Sequence, residues 1–373
     1  MKNYQICTHC IMDTTDPNIT FDKNGICNHC HQYEKTIKSK KYLSKKGANA
    51  LKNLIKKIKR DGKNKKYDCI IGISGGVNST YVAYFVKKLN LRALAVHLDN
   101  GYNTDVSKNN IENTINKLKI DLYNYKINLK EFCDLQLSFL KASTPDIEIP
   151  TDHAIVAVLC EIASKNNIKY ILSGYNTATE GGGVTAWSQG HYDWRYIKNI
   201  QKKFGEEKLK TFPHFGILKF IYYTLIKRIK RISILDYIDY NKNTVLGIIK
   251  KELNWQAYKG KHNESIYTRF IQEYIFPKKF KFSKKRTHLS SLIWSKQKTR
   301  KDALREMKNN NDYPQKLEKR DKKYIIKKLG ITEKKLDNIM KLPPKSFWDY
   351  PSYKKIFYKY KWLIKIYHKL RNQ

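Results

Sequence analysis

The chain has 373 residues, of which 41% are hydrophobic and 13% aromatic. This apolar content excludes a disordered chain, because it provides enough surface to bury against the loss of chain entropy. Lys and Arg total 74 against 33 Asp and Glu, which gives a formal net charge of +41. The sequence contains no stretch of 18 or more apolar residues, so no membrane-spanning helix is expected.

The positive charge comes from 63 Lys and only 11 Arg. Proteins that read bases and phosphates favour Arg for its bidentate geometry, so this balance favours a solvated lysine surface over a nucleic-acid partner. Residues 1–7 contain no apolar run typical of a signal peptide. Three isolated cysteines, at 69, 133 and 160, suit a reducing compartment, and we expect a cytoplasmic protein.

Residues 1–35 form a cysteine-rich module with two C-x2-C pairs separated by 16 residues, Cys7, Cys10, Cys27 and Cys30. Two such pairs can place four thiolates around one tetrahedral ion. We predict structural Zn²⁺, whose binding would fold a segment too short to have a core of its own. An iron–sulfur cluster is the alternative.

Residues 36–66 have the spacing of a connector helix, and residues 67–205 alternate between strand and helix patterns. Strands are predicted at 68–74, 93–98, 122–127 and 170–173, and helices at 79–89, 105–118 and 151–166. Alternation of this kind predicts an α/β fold with a parallel sheet covered on both faces.

Residues 206–373 are predicted to be mainly α-helical, with helices at 244–253, 265–276, 300–308, 315–329 and 333–340. The apolar and basic stretch at 215–238 predicts a packed helical pair. The alternative for this stretch is an interfacial helix on an anionic membrane, which would give the protein a weak peripheral contact with the bilayer.

A glycine loop lies between the first predicted strand and the helix that follows it, with the residues Ser74, Gly75, Gly76, Val77, Asn78, Ser79 and Thr80. Two glycines allow the backbone to approach an anion closely, and the helix start presents amide groups. The spacing is neither that of GxxxxGK[ST] nor that of GxGxxG.

This loop resembles the SGGxDS loop of the PP-loop ATP pyrophosphatases, which have the adenine nucleotide α-hydrolase-like, Rossmann-like fold. Further segments resemble one subgroup, the N-acetyl sugar amidotransferases of bacterial surface-polysaccharide biosynthesis. The resemblance runs in order from about residue 4 to about residue 355. It rests on CTHCIMDTTDPNITFDKNGICNHC, YDCIIGISGGVNSTY, AVHLDNGYN, LQLSFLKASTPDIEIPTDHAI, SGYNTATEG, GKHNESIYTRF, THLSSLI and LPPKSFWDYPSY.

The resemblance implies ATP-dependent conversion of an N-acetyl group on an amino sugar to an acetamidino group. The oxygen of the N-acetyl group would be adenylated, ammonia would attack the imidate carbon, and AMP and pyrophosphate would be released. ATP and Mg²⁺ are the implied cofactors. Because the chain shows no glutaminase signature, ammonia is expected from a partner glutaminase subunit together with a cyclase-like barrel subunit.

Three groups of site residues follow from the resemblance and from their positions after predicted strands or at the starts of predicted helices. Candidate catalytic residues are Asp152, His153 and Glu180. Candidate nucleotide-binding residues are those of the glycine loop together with His97, Asp99, Gly174 and Asn176. Candidate substrate-binding residues are Thr179, Lys261, His262 and Arg269. The alternatives are a turn cap for Asp99, a helix cap for Asp152 and His153, and a solvated helix start for Lys261, His262 and Arg269.

Asn78 stands where the family loop has Asp. We interpret it as a tolerated replacement that still caps the helix but loses the charge. Two other functional classes remain open: a PP-loop tRNA-modifying enzyme of the thiolation or lysidine type, and a zinc-ribbon RNA-binding protein with a decayed ATP loop.

Overall fold

A computed structural model describes residues 3–39, 45–258, 260, 263–309 and 313–359. Its centre is a five-stranded sheet in the order β3-β2-β1-β4-β5, with every neighbouring pair parallel. The strands are β1 Cys69–Gly72, β2 Ala93–Asp99, β3 Asp121–Lys126, β4 Tyr170–Ser173 and β5 Lys230–Ser233. The predicted α/β class is confirmed, and the four predicted strands lie within two residues of their observed bounds.

Helices cover the sheet and form most of the C-terminal half of the described chain. They are α1 Asn28–Ser39, α2 Lys45–Asp61, α3 Val77–Lys88, α4 Asp105–Leu118, α5 Leu129–Ala142, α6 Ile149–Lys165, α7 Thr177–Glu180, α8 Trp194–Phe204, α9 Ile217–Ile221, α10 Lys242–Leu253, α11 Ile266–Phe270, α12 Lys284–Trp294, α13 Arg300–Lys308, α14 Gln315–Leu329, α15 Glu333–Lys341 and α16 Tyr353–Lys359. Two π-helical segments, Tyr222–Ile226 and Ile271–Phe280, continue α9 and α11.

The two faces of the sheet bury different apolar sets, as the alternation of strand side chains requires. Ile71 of β1 packs in one core with Val82 and Val86 of α3. Ile70, its neighbour in sequence, packs in the other core with Leu135 of α5 and Leu159 of α6. Both faces are therefore covered, as expected for a parallel sheet.

The prediction of a helical pair over 215–238 is wrong for its second half. Residues 230–233 form β5, which pairs in register with β4 from Tyr170↔Lys230 to Ser173↔Ser233. The apolar spacing suits either structure, and pairing with the open edge of β4 satisfies backbone groups that a helix would leave unpaired there. β5 thus belongs to the sheet although it lies in residues 206–373, the region predicted to be mainly α-helical.

The strand order places a topological switch between β1 and β4. The chain proceeds from β1 to β2 and β3 on one side and to β4 and β5 on the other. In open parallel sheets, ligands bind outside the carboxyl ends of the strands at such a point. The glycine loop follows β1 and α7 follows β4, so both lie at this crevice. Among the described residues, no helix is long and apolar enough to cross a membrane.

Candidate active site

Gly75 holds the backbone of the glycine loop in a conformation that only glycine adopts readily. Gly75 has φ +77°, and a Cβ there would lie 2.3 Å from the carbonyl oxygen of Ser107 on α4. A Cβ on Gly76 would lie 2.8 Å from Oε1 of Glu264. The Gly75 carbonyl accepts a hydrogen bond from the indole nitrogen of Trp255 at 2.9 Å. Neighbouring elements therefore fix the loop before any ligand binds.

The loop presents hydroxyl groups and an uncapped helix start at the crevice. The Oγ atoms of Ser74 and Ser79 lie 3.2 Å apart, and Ser74 Oγ also donates to Glu264 Oε1 at 3.4 Å. Gly76 is the N-cap of α3 and no side chain caps the helix. Thr80, by contrast, is fully buried, and its hydroxyl has no hydrogen-bond partner in the described part of the chain. Amides and two serine hydroxyls thus suit an anion such as a polyphosphate.

Asn78 does not cap α3, so that part of its sequence interpretation is wrong. Its Nδ2 donates to Glu180 Oε1 at 3.0 Å, and its Oδ1 accepts from the hydroxyl of Tyr240 at 2.5 Å. Gly174 packs against the base of this side chain, with a Cβ position 3.2 Å from Asn78 Cβ. Asn78 therefore connects the glycine loop to α7 after β4.

The end of β2 holds a hydrogen-bonded turn. His97 is buried; its Nδ1 donates to the Ile73 carbonyl at 2.8 Å, and its Nε2 accepts from Asn103 Nδ2 at 2.7 Å. Burial lowers the pKa of His97, so the ring is neutral. Asp99 Oδ1 accepts from the Gly101 amide at 3.1 Å, as a turn cap does. Both residues lie at the carboxyl edge where the sequence placed them, and these contacts shape the turn.

The end of β4 brings four predicted residues to the same crevice. Asn176 is the N-cap of α7, where its Oδ1 accepts from both the amide and the hydroxyl of Thr179 at 2.9 and 3.1 Å. Gly174 lies against the first turn of α3. Glu180 ends α7 beside Asn78. Gly174, Asn176, Thr179 and Glu180 are therefore adjacent to the glycine loop.

Asp152 and His153 lie in the first turns of α6 but face different surroundings. Asp152 is half-exposed and pairs with His191 Nε2 at 3.2 Å. His153 is fully buried between Phe215 and Trp194, donates from Nδ1 to the His191 carbonyl, and accepts from the Phe215 amide at Nε2. Burial lowers the pKa of His153 to about 4. The Asp152–His191 pair, not His153, is accessible for proton transfer.

The first turn of α6 stands above the carboxyl edge of the sheet. Leu159 of α6 packs 3.6 Å from the Cβ position of Gly72, the last residue of β1. Asp152 lies seven residues earlier, about 10 Å nearer the start of the helix. Because a helix leading into β4 runs antiparallel to the strands, this direction is toward the crevice.

Two of the remaining candidates lie outside the described residues, Lys261 and His262. Arg269 is buried, and its guanidinium makes a bidentate pair with Asp321 of α14 at 2.7 and 2.9 Å. This pair occupies the two guanidinium N–H groups that a bidentate contact with a phosphate would need. The structure therefore places Arg269 in the packing of α11 against α14 and does not bring it to the loop.

Glu264 is the site residue that the sequence analysis passed over. Its carboxylate accepts from Ser74 and, through Oε2, from the Tyr258 hydroxyl at 3.0 Å, while its carbonyl accepts from the Thr104 amide. It is 190 residues from Ser74, and spacing alone gives no reason to pair them. The segment GKHNESIYTRF held the available signal, a lone acidic residue in a basic stretch.

The four cysteines of the N-terminal module come together. Their Sγ atoms all lie within 4.8 Å of one another, and three of the separations are 3.6–3.7 Å. An ion with metal–sulfur bonds of about 2.3 Å holds tetrahedral ligands about 3.8 Å apart. A four-iron cluster separates its sulfurs further, because each binds a different iron. The geometry therefore fits one tetrahedral ion, and Zn²⁺ is the ion this donor set suits.

The module is attached to the C-terminal helices. The Trp294 indole donates to Cys30 Sγ at 3.1 Å, which supports a thiolate there. Arg300 donates to the carbonyls of Cys7 and Cys10. Trp294 belongs to α12, which also packs against α7, and Ser291 of the same helix accepts from the Gly182 amide. One helix therefore contacts both the cysteine module and the segment that carries Glu180.

Comparison with known families matches two parts of the chain. Residues 47–216 match the NAD synthase family, and residues 264–367 match the C-terminal domain of the WbpG-like lipopolysaccharide biosynthesis proteins. No protein with a curated description matches the sequence. The first match contains the glycine loop, β1 to β4 and α7.

The chain is a PP-loop protein with a WbpG-like C-terminal domain. The contact between Ser74 and Glu264 joins the two matched parts, since Glu264 is the first residue of the second match. The candidate active site of this PP-loop protein is thus built from the nucleotide-binding core and the lipopolysaccharide-biosynthesis domain together.

Solved structures similar to this PP-loop protein include three enzymes. The U34-tRNA thiolase NcsA from Methanococcus maripaludis, with its [4Fe-4S] cluster, is 15% identical over 82% of this chain and 89% of its own, with a TM-score of 0.31. NMN synthetase from Francisella tularensis is 14% identical over 60% and 92%, with a TM-score of 0.29. The NH3-dependent NAD synthetase from Campylobacter jejuni is 14% identical over 56% and 93%, with a TM-score of 0.29.

Proposed function

We propose that this PP-loop protein is an ATP-dependent N-acetyl sugar amidotransferase of lipopolysaccharide or O-antigen biosynthesis. It converts the N-acetyl group of a bacterial amino sugar, carried as a nucleotide sugar or as a nonulosonic acid precursor, to an acetamidino group. The reaction consumes ATP and ammonia and releases AMP and pyrophosphate. The observation that carries the proposal is the 3.4 Å contact between the glycine loop and Glu264 of the WbpG-like domain.

In the first step, the acetamido oxygen attacks the α-phosphorus of ATP and the bond to the pyrophosphate breaks. Stabilising the leaving pyrophosphate requires donors arranged in advance. The amides at the start of α3 and the hydroxyls of Ser74 and Ser79 provide them, and the glycines let the backbone approach. The product of this step is an O-adenylated imidate on the sugar.

Two carboxylates flank the loop, Glu264 beside Ser74 and Glu180 beside Asn78. Oxygen donors of this kind suit Mg²⁺, and either carboxylate could hold the ion of a magnesium triphosphate beside the loop. When bound, the ion neutralises phosphate charge and withdraws electrons from the leaving group. Glu264 is the residue placed to hold it against the loop.

In the second step, ammonia attacks the imidate carbon, loses a proton, and AMP departs with its bonding electrons. The amine proton needs an acceptor near the crevice, and the half-exposed Asp152 carboxylate is one. Burial opposes charge on its partner His191, but the hydrogen bond and charge of Asp152 outweigh this and raise the pKa of His191. The pair can hold and pass a proton at Asp152 Oδ2 and His191 Nε2.

Ammonia comes from a partner glutaminase subunit, with a cyclase-like barrel subunit completing its route. The three cysteines outside the zinc module do not resemble a glutaminase nucleophile. Cys69 and Cys160 are buried in β1 and α6, and Cys133 contacts the Tyr102 hydroxyl. Burial raises the pKa of Cys160 to about 11, so its thiol stays protonated. None of the three has a histidine partner within the described ranges.

Release of pyrophosphate from ATP tests the proposal. We expect release to require an N-acetylated nucleotide sugar or nonulosonic acid, to continue over many turnovers only when ammonia is present, and not to be stimulated by bulk tRNA. Glu264→Gln is expected to lower kcat by about a hundredfold, the usual cost of losing one electrostatic contact in such a site. Glu161→Gln, on the far part of α6, is the matched control and should leave the rate unchanged. Stimulation by tRNA alone would favour a tRNA-modifying enzyme instead.

A further inference from the structure

A strip of exposed apolar side chains runs along α9 and the π-helical segment that continues it. Large hydrophobic residues point to solvent at successive turns of this one face, with Leu218 83% and Ile226 68% exposed. The strip consists of Ile217, Leu218, Ile221, Tyr222, Leu225 and Ile226. The opposite face packs inward through Phe220 and Tyr223, and Phe220 contacts the rings of Phe215 and Tyr192. The folded chain leaves this much apolar area uncovered on a single short element, which marks an interaction surface.

Cations surround the strip and carboxylates are absent from its sequence. Residues 208–235 contain no Asp or Glu. Lys219, Arg228 and Lys230 are exposed, and none of them forms an ion pair with any described residue. The surface therefore combines an apolar stripe with a positive rim.

A basic cavity of about 250 Å³ adjoins the end of the strip. Ile226 lines it together with Lys65, Lys169 and Lys227. Lys65 and Lys227 donate to the backbone and side-chain oxygens of Asn167, at 2.8 and 3.4 Å, which holds two ammonium groups at its wall. Three lysines around a cavity of this size suit a phosphate group.

We propose that the 217–226 strip and the adjoining lysine cavity bind an anionic membrane surface. The strip would insert among the headgroups and upper acyl chains, and the cavity would take a lipid phosphate. Self-association through this face is disfavoured, because a symmetric contact would bring the same cations together.

The position of this surface is compatible with catalysis. The lysine cavity lies at the amino edge of the sheet, since Lys169 precedes β4 and Lys230 begins β5. The glycine loop lies at the carboxyl edge. A chain resting on a membrane through the strip therefore leaves its ATP crevice open to the cytoplasmic solvent.

Vesicle co-sedimentation of the full chain tests this inference. We expect binding to phosphatidylcholine vesicles that contain phosphatidylglycerol, little binding to phosphatidylcholine alone, and a decline with added salt. Leu218→Ser/Ile226→Ser should lower binding by about tenfold or more, because both side chains lose their insertion energy. Leu122→Ser/Leu342→Ser, at exposed apolar positions elsewhere, is the matched control and should bind as the native chain does.

Lys227→Glu/Arg228→Glu should lower binding to the vesicles that contain phosphatidylglycerol and leave binding to phosphatidylcholine vesicles unchanged. Equal binding of the native chain to neutral and anionic vesicles would contradict the proposal. So would a native dimer that Leu218→Ser/Ile226→Ser converts to a monomer with no vesicle binding, because the strip would then be a contact between copies. Pyrophosphate release without vesicles should be the same in all these variants, which separates this test from that of the proposed function.

Discussion

Asn78 exchanges a charge for two hydrogen bonds. In the family loop this position is Asp, and here the amide bridges the Glu180 carboxylate and the Tyr240 hydroxyl. An Asp at this place would bring a second carboxylate to about 3 Å from Glu180, where both cannot be ionised without a cation between them. The substitution thus keeps α3 joined to α7 when no cation is present.

Asn78→Asp is therefore expected to make stability depend on Mg²⁺. We predict a loss of about 1–3 kcal/mol in the free energy of unfolding in chelator, since one hydrogen bond is replaced by repulsion. Millimolar Mg²⁺ should restore part of it, as any ligand of the native state does. Thermal unfolding of the native chain and the variant, with and without Mg²⁺, measures this. If Mg²⁺ stabilises the native chain as strongly as the variant, the prediction is contradicted. A large gain in ATP-dependent turnover in the variant would show that Asn78 impairs catalysis.

His153 gives the fold a defined pH dependence. Its pKa is lowered to about 4 by burial, against about 6.5 in the unfolded chain. The unfolded state therefore binds more protons between these values, and stability present above pH 6.5 is lost as the pH falls toward 4.

His153→Phe preserves the stacking on Phe215 and removes the titration. We expect the native chain to exceed this variant in stability at pH 7, and the difference to shrink by about 2–3 kcal/mol at pH 4.5. A difference that does not vary with pH would mean that His153 has the same pKa in the folded and the unfolded chain, against the burial described above.

At the scale of elements, the buried pair of Arg269 and Asp321 fastens α11 to α14. Arg269→Met is expected to cost about 3–5 kcal/mol, because it leaves a buried carboxylate without its partner. Arg269→Met/Asp321→Leu should recover most of this loss, and urea unfolding measures both. The double variant should keep the native KM for the sugar. A raised KM for the sugar in a stable double variant would show that Arg269 contributes to substrate binding.

The cysteine module is the second element whose role can be measured. We expect one Zn²⁺ per chain, and removal by a chelator should lower the melting temperature and change the fluorescence of Trp294, whose indole contacts Cys30. Cys27→Ser should act as metal removal does, whereas Cys133→Ala, outside the cluster, should retain the metal. Stoichiometric iron with visible absorbance would identify a cluster instead.

Local patterns predicted most elements because each is encoded by residues close in sequence. The apolar run before the glycine loop and the periodicity of 105–118 specify β1 and α4 without reference to the rest of the chain. β5 was missed because its strand state depends on the edge of β4, some 60 residues away. Glu264 was missed for the same reason, since its role comes from packing against Ser74. The cysteine spacing predicted its cluster because a metal site imposes its own geometry on a short segment.

At the scale of the whole molecule, the two matched parts meet at one crevice. The PP-loop core provides the glycine loop, and the WbpG-like domain provides Glu264 at its first residue. α12 connects this crevice to the cysteine module, through Ser291 on one side and Trp294 on the other. The formal charge of +41 is carried mainly by lysines, and the membrane surface proposed above uses those in the cavity and rim beside the 217–226 strip.

Mass spectrometry of the sugar product tests the central claim most directly. The native chain is incubated with ATP, Mg²⁺, isotopically labelled ammonia and an N-acetylated nucleotide sugar or nonulosonic acid. The account predicts a product in which the acetamido oxygen is replaced by one labelled nitrogen, formed in equal amount to AMP and pyrophosphate. AMP formed with no labelled nitrogen in any sugar offered, but with tRNA as the modified product, would contradict it.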